Sequence, residues 1–386
     1  MSYILIMEKK ITIKQIFIDN WHKFLTLNLV IRAVVHKEVK KIMRCGDPAL
    51  GHALYFCSNC CTYKYVPFRC KSRFCNTCGM KYVQDRANNL SSKLVKCNHR
   101  HIVFTIPQEL RIFFQHDRSL LNLLFQASSK TIFAWFYSQN KSQNFTPGFV
   151  SVLHTFGRDL KWNPHIHMLI TEGASGNFTV WRPFKHFPFA MLRKRWQTTL
   201  LFLLEQKLGK DVFRKIKNQL YSQNQDGFYV YAKSNMNSPK QVVNYVVRYT
   251  GRPAMAQSRI ISYDGSLVSF WYERHEDGKK VIETIPVFDF IKRLIIHIPE
   301  EQFKMVRYYG LYAKKHKHSS KLFKMVSDST IKTRKLLNRW RENIELSFGY
   351  DPILCSCGCK MEFIDIFLPT KKSVERPPPK LYNTSS

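Results

Sequence analysis

Acidic residues are scarce in this chain: 27 Asp and Glu stand against 61 Lys and Arg among 386 residues, which leaves a formal net charge of +34. A surface with so few carboxylates attracts polyanions, and nucleic acid is the expected one, ahead of an anionic membrane or a ribosomal location. Aromatic residues make up 14% of the chain and are interleaved with the basic ones, where they can stack on unpaired bases.

Long apolar runs are also missing, since no stretch approaches the 18 consecutive apolar residues of a membrane span. The first ten residues have a short apolar run followed by charges, without a small-residue cleavage pattern, so no secretory signal is predicted. We therefore expect an intracellular protein, in which thiols stay reduced and clustered cysteines bind metal more often than they form disulfides.

Cysteine is absent from the middle of the chain: eight of the 11 cysteines lie between Cys45 and Cys97, and three lie between Cys355 and Cys359. This distribution divides the protein into a cysteine-rich head, a middle and a short tail. The tail spacing, Cys-x-Cys-x-Cys, does not match an ordinary zinc knuckle, so no second zinc ribbon is predicted there.

Two Cys-x-x-Cys knuckles in the head are 14 residues apart, close to the spacing of a zinc ribbon. Their four thiolates, which predict a closed tetrahedral zinc site, belong to Cys57, Cys60, Cys75 and Cys78. Further candidate ligands in the head are Cys70, Cys45, His52 and Cys61, and the spacing alone does not decide among them.

Two histidines, His165 and His167, stand one residue apart in an apolar, β-branched run. Alternation along a strand places both rings on the same face. His154 lies 11 residues upstream of His165 in a second apolar segment, and Gly, Asp, Asn and Pro occupy residues 157–164 between them. This pattern predicts an antiparallel hairpin with His154 across from His165 or His167. Three imidazoles on one face would hold a divalent cation, although an isolated His-x-His fits simple core packing equally well.

A helix with both ends marked is predicted at residues 238–253, because it opens with Ser-Pro and closes with Gly and then Pro. At 3.6 residues per turn, valines take one side, and another arc of roughly 100° is polar. That polar face carries Gln241, Tyr245, Arg248, Tyr249 and Arg252. A pair of tyrosines at this spacing more often packs in a core or lies on the surface without a role. These two phenols, however, share their face with guanidinium groups and not with the valines, which indicates a functional surface.

The two elements together indicate phosphodiester chemistry. A tyrosine hydroxyl, with a pKa of about 10, is a poor nucleophile unless a metal polarises the phosphate and arginines balance the developing charge. Attack would leave a 5′-phosphotyrosine and a free 3′ hydroxyl. A second tyrosine allows a second attack before the first intermediate is released, as strand transfer or rolling-circle copying requires.

These motifs resemble the rolling-circle insertion-sequence transposases of the HUH endonuclease superfamily, in the group with an N-terminal zinc-binding domain and a Tyr-x-x-x-Tyr helix. The resemblance runs from about residue 45 to about residue 359, nearly the whole chain. The matching stretches are residues 152–157, 164–167, 230–233, 245–250 and 307–311. One departure is Phe74, which stands where relatives commonly have His before the third knuckle cysteine.

The resemblance implies metal-dependent nicking and joining of single-stranded DNA, with His165 and His167 as metal ligands. It makes Tyr245 and Tyr249 the candidate nucleophiles, and we assign Arg248 beside them to charge stabilisation. The third ligand is His154, whose spacing resembles that of the related relaxases, or alternatively Gln241. Nitrogen ligands suit Mn²⁺ better than Mg²⁺, which prefers oxygen but is abundant in cells. The head is expected to hold zinc, and the resemblance implies Cys70 as a further ligand.

The predicted fold class is α+β, with a zinc-ribbon-like module, an HUH nuclease core of antiparallel sheet with helices packed on it, and a helical, basic C-terminal region. The predicted domains span residues 1–97, 98–285 and 286–370, followed by a disordered tail at 371–386.

The expected function is a DNA transposase acting on single-stranded element ends in the bacterial cytoplasm, near the nucleoid, without a membrane or small-molecule partner and with a homodimer as one option. Two other interpretations stay open. A non-catalytic, zinc-dependent DNA-binding or regulatory protein would not need its tyrosines. A nucleotide hydrolase of the histidine-triad type would use His as nucleophile, but leaves the tyrosine helix and the zinc head unexplained.

Overall fold

The structure is a computed structural model. The structure describes residues 11–27, 30–236, 241, 253–274, 276–313, 322–324, 327–329, 332, 336 and 339–368. Helices within this part of the chain are α1 Ile13–Thr26, α2 Ala33–Met43, α3 Asn76–Ser91, α4 Gln108–His116, α5 Leu121–Gln139, α6 Phe189–Leu208, α7 Lys210–Gln223, α8 Val287–Ile295 and α9 Trp340–Phe348. Strands are β1 His52–Cys57, β2 Thr62–Pro67, β3 His99–Phe104, β4 Thr146–Phe156, β5 Trp162–Ser175, β6 Arg182–Pro183, β7 Val230–Met236, β8 Ile260–Tyr263, β9 Leu267–Glu273, β10 Lys280–Pro286, β11 Val306–Gly310 and β12 Glu362–Phe367. The predicted α+β class is confirmed.

A six-stranded antiparallel sheet forms the centre of the molecule, in the order β11-β4-β5-β3-β7, with β6 pairing beside β5. The predicted hairpin is its longest part, β4 and β5. Its turn closes where the Gly157 N–H donates to the Lys161 carbonyl at 3.0 Å, and Leu160 takes a positive φ of 64°. The β-branched and apolar residues of both strands favour this pleated pairing.

One face of the central sheet is covered by α4, α5, α6 and α7. Strand residues such as Ile166, Met168 and Ile170 are fully buried there against helix residues such as Phe125 and Trp196. The two helical segments on this face, residues 108–139 and 189–223, are both interrupted. Asp117 separates α4 from α5 and its carboxylate caps the Ser119 N–H, and Gly209 divides α6 from α7 at a φ of 91°.

The opposite face of the sheet carries the histidines, and the described residues cover it only in part. Because side chains alternate, Val150, Val152 and Leu169 point to this face, where they pack against Leu90 of α3 and Tyr312. His154 and His165 lie further along the same hairpin and are only partly buried. The face is therefore closed at one end by α3 and carries imidazoles at the other.

The N-terminal helices do not form a core of their own. Residues of α1 and α2, such as Phe24 and Val39, share one buried cluster with Phe270 of β9 and Phe290 of α8. This core brings residues from both sides of the predicted boundaries at 97 and 285 together, while the boundaries themselves stay predictions.

The C-terminal region is not simply helical. Strand β11 joins the edge of the central sheet beside β4, and β12 pairs with β1 to complete a three-stranded sheet in the order β12-β1-β2. Gly310 ends β11 at a φ of 54°, and a Cβ there would lie 1.8 Å from the Pro147 carbonyl oxygen. The predicted disordered tail lies outside the described residues. No helix among the described residues is long and apolar enough to span a bilayer.

A buried histidine anchors the start of β3. His99 is fully buried, its Nδ1 donates to the Cys97 carbonyl at 3.0 Å, and its Nε2 accepts from the Tyr312 hydroxyl at 2.5 Å. Burial lowers the pKa of His99 to about 4, so the ring is neutral at pH 7.

Candidate functional site

The β4–β5 register places three histidines at one spot on the sheet face that lies opposite α4–α7. His154 lies directly opposite His165, and Val152 lies opposite His167. Opposed residues in an antiparallel pair share a face, so all three rings converge. One ring nitrogen from each histidine lies within 4.8 Å of the other two. The structure therefore brings together the three histidines that the sequence singled out.

The hydrogen bonds of His165 fix its protonation pattern. Its Nδ1 lies 2.7 Å from the Asn163 carbonyl oxygen, which can only accept, so Nδ1 carries the proton. Nε2 is then the unprotonated nitrogen, and it lies 3.0 Å from Nε2 of His167. Two nitrogens bound at about 2.1 Å to one ion at right angles would be about 3.0 Å apart. The pair therefore has the spacing of two ligands on a common cation.

The same two rings are held neutral by their surroundings. Burial lowers the pKa of His165 to about 4 and lowers that of His167 well below its usual value. Neighbouring imidazoles push the pKa of His167 further down, because a second positive charge in the cluster would be repelled. Neutral imidazole is the form that binds metal, so the cluster is ready for a cation at pH 7.

A fourth histidine, His101 on the neighbouring strand β3, contacts the cluster through His167. Its Nε2 lies 2.9 Å from Nδ1 of His167, and the two rings stack with centroids 5.1 Å apart. When His167 donates through Nδ1 to His101, its own Nε2 faces the cluster unprotonated, which is the arrangement that metal-binding histidines commonly show. The sequence interpretation gave His101 no role. The only signal was a histidine in a neighbouring strand, and the register that brings it to His167 is not visible in one sequence.

The candidate nucleophiles Tyr245 and Tyr249, with Arg248 beside them, lie outside the described residues. Gln241 is described: its backbone is helical and its side chain is exposed. It follows β7, which pairs with the strand that carries His101. His154 contributes a ring nitrogen to the histidine cluster, and Gln241 stays the alternative for the third position.

Four thiols form a separate cluster where α2 ends and α3 begins. They belong to Cys45, Cys70, Cys75 and Cys78. The Sγ atom of Cys45 lies 3.6 Å from Sγ of Cys75 and 3.6 Å from Sγ of Cys78. The Sγ atom of Cys70 lies 3.5 Å from Sγ of Cys78. Sulfurs around a tetrahedral zinc lie about 3.8 Å apart, given Zn–S bonds of about 2.3 Å. The hydrogen bond from Cys70 lowers the pKa of Cys45, which favours the thiolate that metals bind.

The predicted grouping of the two knuckles is corrected by the structure. Cys57 and Cys60 do not lie with Cys75 and Cys78, because they occupy the tip of the β1–β2 hairpin, while α3 starts beyond its base. A strand of six residues spans about 20 Å, too far for one tetrahedral site. Cys45 and Cys70, which the sequence left as surplus, flank the base of the hairpin and complete the cluster there.

Two further expectations about the cysteine-rich head change. His52 lies in neither cysteine cluster: its Nδ1 is 2.9 Å from the Pro48 carbonyl and its ring stacks on Phe367. The tail cysteines, to which no zinc site was assigned, lie against the hairpin tip, where Cys355 and Cys357 group with Cys57 and Cys60. The sequence missed this contact because some 300 residues separate the two segments.

Comparisons with known proteins find similarity to transposases. A family model described as "Putative transposase" matches residues 148–320, and one described as "Transposase zinc-binding domain" matches residues 16–106. The chain is 30% identical over 298 residues to the transposase for insertion sequence element IS801 of Pseudomonas savastanoi pv. phaseolicola, covering 73% of this chain and 71% of that protein. It is 29% identical over 296 residues to "Putative transposase y4qJ" of Sinorhizobium fredii, covering 71% of this chain and 73% of that protein. No solved structure matches.

Proposed function

We propose, from the premise that the chain belongs to the IS91-type family of insertion-sequence transposases, that it nicks and rejoins single-stranded DNA through a tyrosine ester. His154, His165 and His167 would hold the divalent cation. The cation, Mn²⁺ or Mg²⁺, would polarise the scissile phosphate. The proposal extends the transposase activity of the family to a specific chemical step and a specific place on the molecule.

The step is a transesterification. The phenol oxygen of Tyr245 or Tyr249 attacks the phosphorus, an O–P bond to the tyrosine forms, and the bond to the 3′ oxygen breaks. The phenol proton is lost and the released 3′ oxygen ends as a hydroxyl, so no water or high-energy cofactor is consumed. Arg248 would balance charge that develops on the phosphate oxygens. The second tyrosine would repeat the attack on another strand, which is the chemistry of rolling-circle transposition.

The observation that carries the proposal is the set of three imidazoles on one sheet face. They lie within 4.8 Å of one another, and His165 and His167 are neutral at pH 7 because burial lowers their pKa values. A core packing role explains a single buried histidine, but it does not explain why ring nitrogens of three histidines converge within 4.8 Å on one sheet face.

The substrate and the cysteine-rich head belong to the same proposal. We infer that single-stranded element ends are the DNA substrate, that zinc occupies the cluster of Cys45, Cys70, Cys75 and Cys78, and that the protein acts in the cytoplasm at the nucleoid. A homodimer is one way to hold two element ends. The net charge of +34 equally favours a second candidate, a DNA-binding protein without catalysis.

A covalent-adduct assay separates the two candidates. The full chain is incubated with Mn²⁺ and a labelled single strand that carries its element's ends, then denatured and resolved by electrophoresis. We expect a denaturation-resistant protein–DNA band that His165→Ala and the double variant Tyr245→Phe, Tyr249→Phe both abolish. Tyr229→Phe, at an exposed tyrosine before β7, is the matched control and should keep the band. DNA binding without any adduct in the wild type would support the non-catalytic candidate.

A further inference from the structure

We propose a second zinc site, made by Cys57, Cys60, Cys355 and Cys357, that ties the C-terminal segment to the N-terminal hairpin. Neither family match extends to this site as a whole, because the matched ranges, 16–106 and 148–320, both end before the tail cysteines. The site is separate from the proposed DNA cleavage, so a measurement of zinc binding tests it independently of that activity.

The four thiols meet at the tip of the β1–β2 hairpin. Sγ of Cys60 lies 3.3 Å from Sγ of Cys355, and Sγ of Cys57 lies 3.5 Å from Sγ of Cys357. All four sulfurs lie within 4.8 Å of one another. Four thiolates converging at this spacing match the closed Cys₄ environment of structural zinc, with sulfurs about 3.8 Å apart. None of the 11 cysteines, all of which lie in described residues, forms a disulfide.

Each pair sits on a tight turn of the kind that presents two thiols to one ion. Cys57 ends β1, and the turn to β2 passes through Cys61 at a φ of 53°. In the tail, the Cys355 N–H donates to the Cys359 carbonyl at 2.9 Å, and the Gly358 N–H donates to the Cys355 carbonyl at 3.0 Å. The turn tightens through Gly358, whose φ is 86°. The unusual Cys-x-Cys spacing therefore still supplies two thiols from one loop.

The surrounding structure holds the two turns together. Strand β12 follows the tail loop directly and pairs with β1, so Phe56 faces Glu362 next to the cluster. The Lys64 ammonium donates to the Leu354 carbonyl at 3.0 Å, one residue before Cys355. That placement brings a positive charge near four thiolates and a Zn²⁺, whose net charge is negative. The β1–β12 pairing and the Lys64 ammonium thus support the same four-sulfur site.

Metal counting tests the proposal on the full chain purified under reducing conditions. Elemental analysis should find two zinc ions per wild-type chain and one in the double variant Cys355→Ser, Cys357→Ser. Cys61→Ser and Cys359→Ser are matched controls from the same two loops and should keep two. Cys75→Ser should also lose one, from the other cluster. One zinc per wild-type chain, or two in the double variant, would overturn the proposal.

Two further measurements on the wild type do not depend on how the variants fold. Cobalt replacing zinc should give a sulfur-to-metal charge-transfer band of the intensity expected for eight thiolates, whereas four thiolates would contradict the second site. Mass spectrometry of the denatured, metal-free chain without reductant should show every cysteine as a thiol. A mass lower by two hydrogens, mapped to the tail cysteines, would identify a disulfide there and refute the metal site.

Discussion

Replacing His101 should weaken metal binding without removing any ligand. His101 contacts His167 through one hydrogen bond of 2.9 Å and stacks on its ring at an angle of 25° between the planes. His101→Phe keeps an aromatic ring to stack but has no nitrogen to accept the Nδ1 proton that His167 carries when its Nε2 binds the cation. The variant therefore isolates the hydrogen bond that sets which nitrogen of His167 faces the cation.

The expected size follows from burial. His101 is 9% exposed and His167 is 8% exposed, so little water is available to replace the lost partner. Leaving a buried donor unsatisfied costs about 1–3 kcal/mol, and removing the group that orients a metal-binding histidine typically lowers affinity about 10–100-fold. The two estimates agree, since a tenfold change corresponds to about 1.4 kcal/mol. We expect a loss of about 10–100-fold in Mn²⁺ affinity.

Isothermal titration of the zinc-loaded chain with Mn²⁺ at pH 7.5 measures this loss. His101→Gln should recover much of the affinity, because its amide oxygen can accept the same proton. His116→Phe, at an exposed histidine on α4, is the control and should bind as the wild type does. A Phe variant that binds Mn²⁺ as tightly as the wild type would refute the role of His101, whereas a wild type that does not bind Mn²⁺ would refute the metal centre itself.

Three predictions concern stability. The pKa of His99 is about 4 when folded and about 6.5 when unfolded, so the unfolded state gains its proton first as the pH falls. His99 alone should therefore lower stability by about 1.4 kcal/mol per pH unit below pH 6.5, about 3 kcal/mol by pH 4, and His99→Gln should reduce the overall slope by that share in urea titrations. Arg100→Ala leaves the carboxylate of Glu172, 5% exposed, without its ion pair. It should cost about 3–5 kcal/mol by denaturant unfolding, and a loss below about 0.5 kcal/mol would contradict this. Gly310→Ala should cost at least about 2 kcal/mol in thermal unfolding, because it combines a positive φ with a clash. Gly349→Ala, whose Cβ would meet nothing within 4 Å, should cost only about 1–2 kcal/mol, and equal losses at both glycines would argue against the clash.

Local patterns were enough to predict the histidine hairpin. The turn residues at 157–164 and the alternation around His165 both act over a few positions, and the structure places β4 and β5 there with His154 opposite His165. The tyrosine helix at residues 238–253 was equally clear as a pattern, and its tyrosines remain a prediction because they lie outside the described residues.

Pairings between distant segments could not be predicted from one sequence. The spacing of Cys57, Cys60, Cys75 and Cys78 fits one zinc ribbon, but each knuckle finds its partners elsewhere, and nothing local specifies which. The same limit hid the pairing of β12, because its partner strand β1 lies far earlier in the chain. His101 was overlooked for the same reason, since its role depends on register.

The contact between Cys60 and Cys355, which lies 295 positions later, also has a consequence for the order of events during biosynthesis. At about 5–20 residues per second, a ribosome needs about 15–60 s to deliver the tail after the hairpin has emerged. During that interval the hairpin tip waits with two thiols and one sheet edge exposed, so chaperones or metal-buffering molecules have time to reach it. A copy of the gene with a stop codon before position 355 would make a protein that lacks Cys355 and Cys357. Its four-sulfur cluster could not form, even though its hairpin cysteines are intact.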